Sequence, residues 1–145
     1  MTRSSATLII CCALLLSLAC ARPPEKIGEL PEGDTPLHVT VSNQSFDQSL
    51  MGIEVYIDEI HVISGDFEVG NQHSFYGFDF TATEGTHSLR AEADGGGVTL
   101  EEEFEVAGET WGVLMYWYYA TPQGGAEVTP KHLAWDVYDE APAFD

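Results

Sequence analysis

From Leu37 onward, apolar and polar residues alternate with the period of two that places successive side chains on opposite faces of a β-strand. Leu37, Val39 and Val41 alternate with His38, Thr40 and Ser42, which predicts a half-buried first strand ended by the loop Asn43 to Ser49. Ile53, Val55 and Ile57 alternate with Glu54, Tyr56 and Asp58, Asp58-Glu59 interrupts, and Ile60 to Ile63 resumes before Ser64-Gly65-Asp66. Beyond Gly70-Asn71, Tyr76, Phe78 and Phe80 share one face; beyond Glu84-Gly85, His87, Leu89, Ala91 and Ala93 share another. Asp94 to Gly97 leads into Val98 to Val106, Ala107 to Glu109 into Thr110 to Ala120, and Thr121 to Pro130 into His132 to Tyr138.

No stretch of eleven or more residues in the domain carries a capped apolar stripe of period 3.6, so little helix is expected there. Short strands at regular spacing, punctuated by turn formers, predict an all-β sandwich of two antiparallel sheets with seven or eight strands over residues 37–140. Residues 141–145 remain as a C-terminal tail. The arrangement resembles the immunoglobulin-like modules common on bacterial surfaces. Ile53-Glu54-Val55-Tyr56-Ile57-Asp58 and Gly85-Thr86-His87-Ser88-Leu89 resemble two hairpin phrases of small sandwiches of the PEGA type, with Glu59 where that pattern has a turn glycine.

The N-terminus has a different pattern. Arg3 precedes an uncharged run, Ala6 to Ala19, rich in leucine and isoleucine. At about 1.5 Å per residue such a helix falls short of a bilayer core of about 30 Å, so residues 1–19 read as a signal helix and not as a membrane span. Leu16-Ser17-Leu18-Ala19-Cys20 resembles the lipobox of bacterial lipoproteins, which implies lipid attachment at Cys20 and a membrane partner through that group. Ala21 after the cysteine implies the outer membrane. Ordinary secretion after cleavage at Ala21 is the alternative. Residues 20–36, with Pro23, Pro24, Pro31 and Pro36, read as a disordered, semi-extended tether.

Cys11, Cys12 and Cys20 all lie in or at the end of the leader, so the domain after it forms no internal disulfide and depends on its core. With 44% hydrophobic and 11% aromatic residues the chain has enough apolar surface for one. The 24 acidic against 5 basic side chains exclude a nucleic-acid binder, because phosphate recognition needs a lysine and arginine footprint. Beyond residue 20 only Arg22, Lys26, Arg90 and Lys131 oppose the carboxylates, a balance that suits salt adaptation, a basic partner or calcium collection.

Two features carry candidate chemistry. On the strand around Phe104, alternation places Glu101, Glu103 and Glu105 on one face, where they are candidate ligands for calcium or another divalent cation; a solvated or charged edge strand is the competing reading. Trp111 to Tyr119 is apolar on both faces. With Val113, Met115 and Trp117 in the core, Tyr116 and Tyr118 face outward as candidate contacts for a protein or glycan partner, unless the C-terminal segment or the tether covers them. His38, His61, His73, His87 and His132 show no metal-ligand spacing, and His87 is expected half-buried beside Leu89. No nucleophile elbow, phosphate loop or zinc-protease motif is present. The sequence therefore leads to a lipid-anchored envelope module without catalytic activity, with a cation-binding exported domain next and an enzyme built from a non-local site third.

Overall fold

The computed structural model describes residues 21–70, 74–121 and 127–144. Residues 1–19, read above as a signal helix, and Cys20, the expected site of lipid attachment, lie outside the described residues. Nine strands are found among them: β1 (Glu25–Lys26), β2 (Thr35–Asn43), β3 (Leu50–Ile57), β4 (Ile60–Glu68), β5 (Phe75–Ala82), β6 (Gly85–Ala93), β7 (Val98–Val106), β8 (Thr110–Tyr119) and β9 (Thr129–Tyr138). They form a five-stranded sheet in the order β1-β4-β3-β6-β7 and a four-stranded sheet in the order β5-β2-β8-β9. The chain is all-β, as expected, with two differences. There are more strands than seven or eight, and the pairing is not wholly antiparallel: β2 and β8 run parallel, with Leu37 opposite Thr110 and Val41 opposite Leu114.

The period-two pattern explains the core. Leu37, Val39, Val41, Ile53, Val55 and Ile57 are fully buried between the sheets, and Leu89, Phe80 and Phe104 pack against the same cluster. The run Ile60 to Ile63 breaks the alternation because β4 carries a bulge. Val55 faces Ile63 while Tyr56 faces His61, so Val62 is the extra residue, and both Val62 and Ile63 are buried. The strand continues through Gly65, which sits against Pro24 so closely that a Cβ there would lie 2.5 Å from the Pro24 Cα.

That contact belongs to a segment expected to be a disordered tether. Residues 22–34 instead wall one open side of the sandwich. Arg22 exchanges hydrogen bonds with Asp66, donating its N–H to the carboxylate at 2.6 Å and accepting the Asp66 N–H at 2.7 Å. Glu25 and Lys26 pair with Ser64 and Ile63 on β4. Lys26 then reaches across to the other sheet, where its Nζ donates to the Asp79 carbonyl at 2.7 Å and lies 4.6 Å from the Phe80 ring centre. Leu30 packs on the core. The proline-rich composition suggested extension, and the segment is extended; what it did not reveal is that the β4 edge offers unpaired backbone groups to bind it.

Candidate functional site

Glu101, Glu103 and Glu105 lie on the outer face of the five-stranded sheet, all exposed, with Phe104 and Val106 on the core side, as alternation predicts. Their partners on β6 are Arg90, Ser88 and Thr86. Thr86 donates its hydroxyl to Glu105 at 2.9 Å. Arg90 lies flat over Tyr56, 3.7 Å from the ring centre, and pairs with Glu92. The carboxylates thus run along the strand as a row. Among the described residues, no three His, Cys, Asp or Glu side chains converge so as to hold a metal ion.

Strand β8 is apolar on both faces, but its facing is the reverse of the expected one. Tyr116 is fully buried, its hydroxyl donating to Gln48 Oε1 at 2.5 Å, so it is not a surface contact. Burial raises its pKa above the usual tyrosine value. Tyr118 is partly buried on the same side, with Lys131 5.4 Å from its ring centre. The inversion follows from the register with β2: Val41 faces Leu114 and Asn43 faces Tyr116, so Leu114, Tyr116 and Tyr118 point inward with them. A strand apolar on both sides carries no internal signal of which side is the core.

The residues presented outward are therefore Trp111, Met115, Trp117 and Tyr119, all partly exposed, with Val113 among them. His38 stacks on Trp111 at 5.1 Å, and Trp117 lies 6.4 Å from Tyr119. The chain beyond Tyr138, which pairs with Trp111, crosses back to the far edge strand, where Phe144 stacks on Phe75 at 4.1 Å. Val113, in the middle of that face, is 2% exposed. The tail contact at Phe75 is on the Met115 side of the sheet, opposite to the Tyr116 and Tyr118 face for which a covering segment was expected; that face is turned into the core.

Two histidines are held between acceptors. His87, 8% exposed, faces Asp58 Oδ2 at 2.6 Å through Nδ1 and the Thr83 carbonyl at 2.8 Å through Nε2. Burial alone lowers its pKa, but the Asp58 and Thr83 hydrogen bonds and the Asp58 charge raise it above the usual histidine value. His38 faces Asp79 at 2.7 Å and Glu109 at 3.0 Å, and the Asp79 hydrogen bond is the largest cause of its raised pKa. His61 pairs with Glu54 at 2.7 Å and stacks on Tyr56 at 4.4 Å.

Strand direction divides the connections between two ends of the sandwich. At the end where residue 21 enters lie Asp47 between β2 and β3, Asp66 and Glu68 at the end of β4, Asp94 between β6 and β7, and Glu127 before β9, with Arg22 and Lys131 beside them. Lys131 pairs with Asp94 at 2.6 Å. At the opposite end, the turns carry Glu32 and Asp34 before β2, Asp58 and Glu59 after β3, Glu84 after β5, Glu109 before β8, and Asp139 and Glu140 after β9. Both ends are acidic, the one opposite the N-terminal entry point more so, and there His38 and His87 are partial counter-charges. A groove at the entry end is formed by residues 21–24 with Leu50, Glu68 and Tyr76. Arg22 is fixed there by Glu54 at 2.5 Å. Comparison with known protein families finds no family model that matches this chain, and comparison with curated proteins finds no match.

Proposed function

We propose that the chain is an exported module held at the bacterial cell envelope by a lipid on Cys20, and that it binds or scaffolds and does not catalyse. The observation that carries this reading is the seat of Arg22. Two residues after Cys20 the backbone is already bonded to Asp66 in both directions, so a lipid at Cys20 would fix the position of the whole sandwich and direct its more acidic end away from the bilayer. The outer membrane is the proposed location. The aromatic face of the four-stranded sheet, with Trp111, Trp117 and Tyr119, is the surface proposed for a protein or glycan partner, since such rings bury area at low entropic cost and keep polar tips.

The immunoglobulin-like reading is supported by the placement of the two hairpin phrases. Ile53 to Asp58 and Gly85 to Leu89 fall on β3 and β6, which are neighbours in one sheet with Ile57 opposite Leu89. The anchor is tested by expressing the full chain with Cys20→Ser and fractionating the cells. The substituted chain is expected in the soluble envelope fraction and the parent in membranes; a substituted chain that stays with the membranes removes the anchor from the proposal.

A further inference from the structure

The aromatic face of the four-stranded sheet carries an occupant of its own. We propose that residues 139–144 are a displaceable strap, which in the free protein holds the place of an extended, basic, aromatic-bearing segment of a partner polypeptide. The proposal rests on the reading of this face as the partner surface and adds to it the occupant and its competitor.

Register places the residues involved on one surface. Trp111 stands opposite His38 on one side and Tyr138 on the other, and Met115 stands opposite Ser42, which is itself opposite Phe75. Side chains opposite one another share a face of the sheet. Their strand neighbours Leu114, Val41 and Leu37 are in the core, so this face is the outer one. The chain leaves β9 at Tyr138, at the Trp111 end of one edge strand, and Phe144 stacks on Phe75 at 4.1 Å, at the Met115 end of the other edge strand. Four residues along a strand and three strand spacings make a diagonal of about 19 Å. Six extended residues reach about 20 Å. Because the core fills the other side of the sheet, the tail crosses the outer face.

The strap is lightly held. Of its six residues Pro142 is partly buried and the other five are exposed, Phe144 by 43%. A segment with so little burial opens at small cost. Its charge also opposes its seat. Asp139 lines one recess together with Glu105 and Glu109, Glu109 and Asp79 hold His38 between them, and Glu140 follows. The tail therefore has the shape this face accepts, an extended backbone with a proline and an aromatic ring, but carries the wrong sign of charge. A partner segment with the same ring, and Lys or Arg where this chain has Asp139 and Glu140, replaces that repulsion with attraction. A neutral glycan gains nothing from the same rim of carboxylates.

The test compares the full chain carrying Cys20→Ser with the same chain stopped after Tyr138, using the Val113 and Met115 methyl resonances as reporters. The probes are two synthetic peptides, residues 139–145 as they stand and the same segment with Asp139→Lys and Glu140→Lys. Removing the tail is expected to shift both reporters, and Phe144→Ala in the unshortened chain is expected to shift them the same way, which separates loss of the strap from a folding defect. The tether gives the tail an effective concentration of about 1 mM, so the free tail peptide is expected to bind the shortened chain at low-millimolar concentration or below. The lysine peptide is expected to bind roughly tenfold more tightly, with an advantage that shrinks in salt, and to displace the tail from the unshortened chain. Reporters that respond neither to shortening nor to Phe144→Ala overturn the strap and leave the face standing as an open partner surface. A lysine peptide that binds no better than the tail peptide overturns the basic partner. Reporters that move with maltohexaose and with neither peptide overturn the polypeptide in favour of a glycan. Reporters that respond to loss of the tail but to none of the three probes remove the face itself from the proposed function.

Discussion

Both ring nitrogens of His87 face acceptors, the Asp58 carboxylate and the Thr83 carbonyl, so only the protonated ring satisfies both. Its folded pKa is raised above the ordinary value, as is that of His38. The stability these rings contribute is therefore complete below the unfolded value of about 6.5 and is lost as pH rises through the raised folded values. Asp58 acts in the opposite direction: burial pushes its pKa up, but the Ser88 N–H and His87 hold it below the usual carboxylate value, and its contribution is lost as pH falls through that lowered value. Thermal melts from pH 4 to 9 are expected to show a maximum on the acidic side of neutrality, and His87→Leu is expected to flatten the alkaline decline. At the adjoining turn, Asp58 and Glu59 adopt φ of 49° and 64°, the paired left-handed conformation of a tight hairpin. Glu59 is exposed and meets Arg90 only at 3.8 Å, so Glu59→Gly relieves left-handed strain and is expected to stabilise the chain by about 1 kcal/mol in a denaturant titration. Tyr116 is the converse case: Tyr116→Phe removes its hydrogen bond to Gln48 and is expected to cost about 1 kcal/mol in the same titration.

Among the elements, β2, β3 and β6 were legible from the sequence because each has one buried and one solvated face, and alternation records which is which. The acid strand was legible for the same reason, with Glu101, Glu103 and Glu105 outward and Phe104 and Val106 buried. Strand β8 was not, since Leu114 and Val113 are both buried and only the register with β2 assigns the inner face. The bulge at Val62 and the pairing of Glu25–Lys26 depend on backbone groups that side-chain pattern does not report. Gly112 shows how tightly the β8–β9 pair is built. A Cβ there would lie 1.8 Å from the Trp135 ring, which also packs edge-on against Phe104. Gly112→Ala must push the indole away from the sheet and is expected to cost about 1–3 kcal/mol, with a change in tryptophan fluorescence on folding.

For the whole molecule, the dominant electrostatic fact is self-repulsion among carboxylates at both ends and along β7, strongest at the end opposite the N-terminal entry. Monovalent salt is expected to raise the melting midpoint of residues 21–145 by screening those carboxylates. If calcium raises it further at matched ionic strength, the Glu101, Glu103 and Glu105 row takes up a cation with its neighbours, since a ligand stabilises only the state that binds it; no difference between the salts assigns the row to solvation. Under the proposed export, the parallel pairing of β2 with β8 has a consequence for delivery of the chain. β2 is the first strand of its sheet to emerge and β8 is close to the last, so the four-stranded sheet stays open until the final part of the polypeptide arrives. A chain threaded N-terminus first through a translocation pore would then have its aliphatic core strands bare for most of the passage, the state in which chaperones bind and aggregation competes. A fragment ending at Val106 is accordingly expected to show no cooperative melt, and release of a stalled chain should produce native structure only once Tyr119 has cleared the pore.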